Sequence, residues 1–134
     1  MSEERALRVE DVMSSSLHSI EGLSTVSDAI AIMRERGINA LAVNRRSSDD
    51  EPGLLLLPDI AAQVLAPNRS PERVNVYEIM VKPALTLPPR MLVRYAVRLL
   101  VRLEASRALV VNSDGDPIAM VTLRDLVLGE DPED

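Results

Sequence analysis

Val9-Glu10-Asp11-Val12-Met13 returns as Val76-Tyr77-Glu78-Ile79-Met80, an offset of 67, and this recurrence decides the fold. Two further anchors follow in the same order. Ala40-Leu41-Ala42-Val43-Asn44 returns as Ala108-Leu109-Val110-Val111-Asn112 at an offset of 68, and Asp59-Ile60 returns as Asp125-Leu126 at 66. Anchors that keep both order and spacing read as one structural unit present twice.

Between the anchors each half predicts the same elements. His18 to Ile20 reads as a short strand. Val26, Ala29, Ile30 and Met33 then fall at i, i+3, i+4 and i+7, the spacing of one helix face. Thr25 is the predicted N-cap, Asp28 its capping partner, and Gly37 stands just past the end. Ala40–Asn44 and Leu54–Leu57 read as two strands joined by a polar loop, and a helix carrying Ile60, Val64 and Leu65 begins near Pro58. The second half predicts a strand at Leu85–Leu87 and a helix over Arg90–Leu103. Strands at Ala108–Asn112 and Pro117–Val121 follow, joined by a turn at Asp114-Gly115, then a last helix at Leu123–Leu128. The sequence thus divides into repeat 1 over residues 8–66, a linker over 67–75, repeat 2 over 76–129 and an acidic tail over 130–134 that is expected to fray. The fold class is mixed α/β (α+β), two βαββα units. At 134 residues, neither half is large enough to bury much apolar surface alone, so a shared core is expected.

Composition narrows the function classes. Tyr77 and Tyr95 are the only aromatics, so base stacking on aromatic platforms is nearly excluded. A net charge of −6 repels nucleic-acid polymers and anionic lipid at long range. Without cysteine there are no disulfides, thiolate metal sites or cysteine nucleophiles, which fits a reducing compartment. No apolar run is long enough to span a bilayer and no signal peptide is visible, so a soluble, cytoplasmic chain is expected.

The chain resembles a tandem pair of CBS domains, also called a Bateman module. The resemblance rests on the D-V-M-like opening, the helix start Thr25-Val26-Ser27-Asp28-Ala29, the A-L-x-V strand and a closing G-h-h-T-x-x-D pattern. It covers roughly Val9–Ala66 and Val76–Gly129. It implies two repeats packed about a pseudo-two-fold axis, clefts that bind adenine nucleotides or related ligands, and association into homodimers. The implied role is regulatory and non-catalytic, acting on a partner enzyme or transporter. No cofactor is obligatory, and AMP, ADP, ATP or S-adenosylmethionine are the implied regulatory ligands.

Carried over residue by residue, the resemblance places the ligand in repeat 2. Thr122 matches the family's threonine and Asp125 its ribose-binding aspartate, whose carboxylate accepts both hydroxyl protons. Arg107 and Arg124 stand where family clefts take cations. Lys82 and Ala84 lie in a rim loop that supplies backbone contacts to the base. The same Thr-x-x-Asp spacing is also an N-cap with its acidic N3 partner, a structural role that can coexist with binding. Repeat 1 departs from the pattern because Leu56 takes the threonine's place; Asp59 remains as a favourable first-turn charge. Repeat 2 departs too, with Ala119 for the glycine, and Leu92 and Tyr95 where repeat 1 has Thr25 and Asp28. At most one occupied site per pair is therefore expected. An interaction scaffold with vestigial clefts is the second hypothesis.

The remaining candidates read as structural. His18 is the only histidine, too few for a metal cluster or a proton relay. Asp49-Asp50-Glu51 reads as a solubilising loop tip, Ser14-Ser15-Ser16 as loop, and Met13, Met33, Met80 and Met120 as apolar-face packing. No nucleophile with an adjacent base can be assembled, so no catalysis is expected in this chain.

Overall fold

The computed structural model describes residues 6–129, and the acidic tail read over 130–134 lies outside the described residues. In chain order the elements are α1 (Val9–Val12), β1 (Ser19–Ile20), α2 (Val26–Arg36), β2 (Ala40–Val43), β3 (Gly53–Leu56) and α3 (Leu57–Ile60). They continue as β4 (Thr86–Leu87), α4 (Val93–Arg102), β5 (Arg107–Val111), β6 (Pro117–Thr122) and α5 (Leu123–Leu128). Ala61–Leu65 extends α3 as a π-helical turn, and 3₁₀ turns occupy Pro71–Arg73 and Val76–Glu78.

Each half builds one three-stranded sheet, ordered β1-β2-β3 and β4-β5-β6, with the first pair parallel and the second antiparallel. The ladders repeat with the sequence. Ser19 pairs with Ala42 as Thr86 pairs with Leu109, and Leu41 pairs with Leu55 as Ala108 pairs with Val121. This register corrects one anchor. Matching letters put Ala40–Asn44 onto Ala108–Asn112 at an offset of 68, but the hydrogen-bonded ladder sets the offset at 67 and makes Arg107 the counterpart of Ala40. The side-chain period of two explains why: Leu41 and Val43 face one core, Ala108 and Val110 the other, and a one-residue slip would turn them to the opposite face of the sheet. The ladder shifts register between Val110 and Val111, which pair with Ala119 and Pro117 and leave Ile118 as the bulged residue of β6.

Local signals account for the best-defined helix. Thr25 Oγ1 accepts from the Asp28 N–H (3.1 Å) while the Asp28 carboxylate accepts from the Thr25 N–H (3.2 Å), so two orphan donors at the start of α2 are satisfied reciprocally. Gly37 ends it in the left-handed region at φ 66°, which a residue without Cβ adopts freely. The helix α4 lacks such a cap. Leu92 occupies its N-cap and offers no acceptor, and the helix starts at Val93 rather than at Arg90.

Two compact units divide the chain, His18–Ala84 and, together, residues 6–17 and 85–129. They cut across the repeat boundaries, because the opening segment of each repeat bonds within the unit built on the other repeat's sheet. The Val9 N–H donates to Met91 O (2.8 Å), and Ser14 bridges Met120. In the other unit the Val76 N–H donates to Ser24 O (2.8 Å), and Val81 bridges Leu54. Each unit has its own apolar cluster. Val26, Ala29, Met33, Leu41, Val43, Leu55 and Val76 belong to one; Val9, Leu87, Ala96, Leu100, Val110 and Val121 belong to the other. Gly53 is required at the first cluster's edge: a Cβ there would meet Met80 Sδ at 2.8 Å and both Val43 Cβ and Val81 O at 3.3 Å.

Candidate ligand site

Three predicted site residues come together at one end of the sheet β4-β5-β6. Arg107 opens β5 and Thr122 closes β6, so the antiparallel ladder sets them directly opposite each other. Leu123 then turns the chain into α5, its N–H donating to Ser106 O (2.8 Å). This brings Asp125 back over the start of the helix. Thr122 Oγ1 accepts from the Asp125 N–H (3.0 Å) and Asp125 Oδ2 accepts from the Thr122 N–H (3.0 Å). The structural role of the Thr-x-x-Asp spacing is therefore realised in full, and Asp125 Oδ1 stays outside that reciprocal pair.

Arg107 carries the site's electrostatics. The side chain is half-buried, and burial pushes its guanidinium below the usual arginine range while the Asp125 carboxylate pulls it back up. Its Nη1 reaches Met120 Sδ (3.6 Å), a weak acceptor, and its Nε is buried with no hydrogen-bond partner among the described residues. A guanidinium remains a cation under these conditions, so this is a charged donor set that the described residues leave incompletely satisfied. Arg124 is exposed on α5 one residue before Asp125.

Lys82 and Ala84 belong to the other compact unit. The Lys82 ammonium closes on the Asp50 carboxylate (2.8 and 2.9 Å), which also accepts from the Arg46 N–H (2.9 Å). These partners lower the Asp50 pKa to about 2. The loop-tip carboxylate is thus a structural clamp for the residues just before β4. Ala84 is buried and its N–H donates to Pro52 O (3.0 Å).

The counterpart of Thr122 in repeat 1 is Leu56, the N-cap of α3, which makes no side-chain cap bond. Asp59 lies in the first turn of that helix without a hydroxyl partner. Among the described residues no group of three or more His, Asp or Glu side chains is arranged to hold a metal, and no helix is long and apolar enough to cross a membrane.

One feature escaped the sequence. A cavity of about 520 Å³ opens within the unit His18–Ala84, lined by Glu21, Leu23, Asn44, Tyr77, Met80 and Lys82 among others. It forms where the strand β1 ends and the 3₁₀ turn Val76–Glu78 arrives, the Tyr77 N–H donating to Gly22 O (3.0 Å). The juxtaposition spans more than fifty residues and leaves no local pattern.

The model of the CBS domain family matches residues 9–60 and again 76–129. The chain belongs to the CBS domain family. CBS-domain pairs are generally regulatory, ligand-binding modules and are generally not catalysts. An uncharacterized protein of Methanopyrus kandleri is 31% identical over 96 residues, 71% of this chain and 48% of that protein. The CBS chain thus spans about half the length of that relative. A hexameric CBS-CP12 protein from bloom-forming cyanobacteria superimposes with a TM-score of 0.88 at 28% identity, over 97% of this chain and 74% of the other. The CBS domain of a bacterial CNNM/CorC family Mg²⁺ transporter, solved in complex with ATP, shares the fold with a TM-score of 0.75 at 24% identity, over 90% of this chain and 84% of that chain.

Proposed function

We propose that this CBS-domain pair is a cytoplasmic ligand sensor that binds an adenine nucleotide or related adenosyl compound through Thr122, Asp125, Arg107 and Arg124, and signals to a partner protein as a homodimer. The observation that supports it most is Arg107, a half-buried cation whose Nε has no hydrogen-bond partner among the described residues, beside a carboxylate and a hydroxyl. Ribose hydroxyls suit Asp125 Oδ1, and a phosphate suits the arginines. The reading leans on this unit's own side chains, because Lys82 is engaged with Asp50. Binding that differs between two conformations shifts their populations, which is all a sensor requires.

A thermal-shift screen with AMP, ADP, ATP, S-adenosylmethionine and Mg²⁺ tests this. A ligand at about a hundred times its Kd stabilises by about 2.7 kcal/mol, or about 8–13 °C for a chain of this size. The shift should vanish in Asp125→Asn. Leu56 supports a second reading, an interaction scaffold with vestigial clefts, since it leaves repeat 1 without the hydroxyl. That reading prevails if no adenosine compound moves the midpoint.

A further inference from the structure

The helix α4 carries a ridge of like charge that no carboxylate among the described residues answers. Arg94, Arg98 and Arg102 recur at every fourth position, so their side chains are neighbours along one face, and Arg90 stands in the turn that leads into the helix. No acidic residue occurs from Arg90 to Leu103. Among the described residues, none of these four guanidinium groups forms an ion pair with a carboxylate. Arg94, Arg98 and Arg102 are exposed, and Like charges at this spacing repel, so the ridge weakens the helix that bears it.

The contrast with the rest of the protein is sharp. Eleven other basic residues stand against twenty-one acidic ones, −10 without these four arginines. Tyr95 organises the ridge: the Arg94 guanidinium lies 4.9 Å and that of Arg98 5.4 Å from its ring centroid, and the ring is 45% exposed. Val101 and Leu103, 62% and 54% exposed, continue the same helix end as an apolar flank.

We propose that this arginine ridge is a docking surface for an acidic segment of a partner protein, with carboxylates spaced to meet successive arginines and an apolar residue for Val101 and Leu103. The dimensions favour a short segment over a nucleic-acid polymer. Arg94 to Arg102 spans about 12 Å at the helical rise, a stretch that a few carboxylates cover. A longer polyanion would run onto a chain of opposite preference, and Tyr95 is the one aromatic between Arg90 and Leu103 to stack a base. Guanidinium groups also pair carboxylates in a forked geometry.

The test is fluorescence anisotropy with a labelled helix-forming peptide bearing glutamate at every fourth position and leucine at one end. The full chain should bind it, with affinity falling about tenfold or more between about 50 and 300 mM salt. The triple variant Arg94→Gln/Arg98→Gln/Arg102→Gln keeps helix-compatible side chains and should lose binding by about tenfold or more. The control Arg34→Gln/Arg36→Gln/Arg73→Gln removes the same charge elsewhere and should bind as wild type. Circular dichroism should show equal helix content in all three proteins. No binding by wild type, equal loss in the control, undiminished binding by the triple variant, or preference for single-stranded RNA over the peptide would each overturn the proposal.

Discussion

Replacing Asp125 separates the two roles that its carboxylate can hold. In Asp125→Ala the Thr122 N–H loses its acceptor, which costs about 1 kcal/mol for a helix cap. Arg107 loses the one carboxylate that favours its charge, worth on the order of 0.5–1 kcal/mol once solvent screening of a half-exposed group is allowed for. The total is about 1.5–2 kcal/mol, or about 5–10 °C in Tm for a chain of this size. Asp125→Asn keeps an acceptor oxygen for the Thr122 N–H and removes only the charge, so about 0.5–1 kcal/mol should go. Urea unfolding followed by circular dichroism at pH 7 measures both, in the absence of ligand. Equal losses in the two variants would refute the reasoning, because the cap would then contribute nothing. A loss under about 0.5 kcal/mol in Asp125→Ala would do so as well, since that is the range of ordinary surface substitutions.

Three further outcomes follow from the same structure. Gly53→Ala should destabilise by about 1–2 kcal/mol in urea, because Val43 Cβ and Val81 O stand 3.3 Å from the added carbon, the first held by the strand ladder and the second by the bridge to Leu54. Leu100→Ala removes a fully buried side chain from the cluster of the unit that holds α4 and should cost about 3–5 kcal/mol by the same assay. The Asp50 clamp is pH-dependent. Its pKa is lowered from 3.8 to about 2 on folding, so its stabilisation is full above about pH 4 and disappears as pH falls through about 2. The midpoint difference between wild type and Asp50→Asn should therefore be present at pH 6 and closed near pH 2; a difference that persists at low pH contradicts the clamp.

What the sequence revealed and what it hid follow one physical division. Signals carried by residues three or four apart were legible: the box Thr25-x-x-Asp28, the end at Gly37, the box Thr122-x-x-Asp125. The repeat itself was legible because its anchors share spacing. The strand alignment was off by one residue, because letter identity ignores the alternation of faces that the ladder enforces. The contacts of the opening segments were hidden, since the bond from Val9 to Met91 links positions with no common local pattern. The same is true of Lys82, expected at a ligand rim and found clamped to Asp50, thirty-two residues away. The π-helical turn Ala61–Leu65 carries no proline or glycine to announce it. Of the candidate site, the capping box Thr122-x-x-Asp125 could be read from spacing, while the ligand roles expected of Thr122, Asp125 and Arg107 come from the family resemblance. The unsatisfied Nε of Arg107 required coordinates.

Isothermal titration calorimetry of the purified chain with AMP, ATP and S-adenosylmethionine tests the sensor reading most directly. One saturable site per chain for at least one of these, lost in Asp125→Asn while circular dichroism stays unchanged, is the expected result. Absence of saturable heat with all three, or full binding retained by Asp125→Asn, would contradict it.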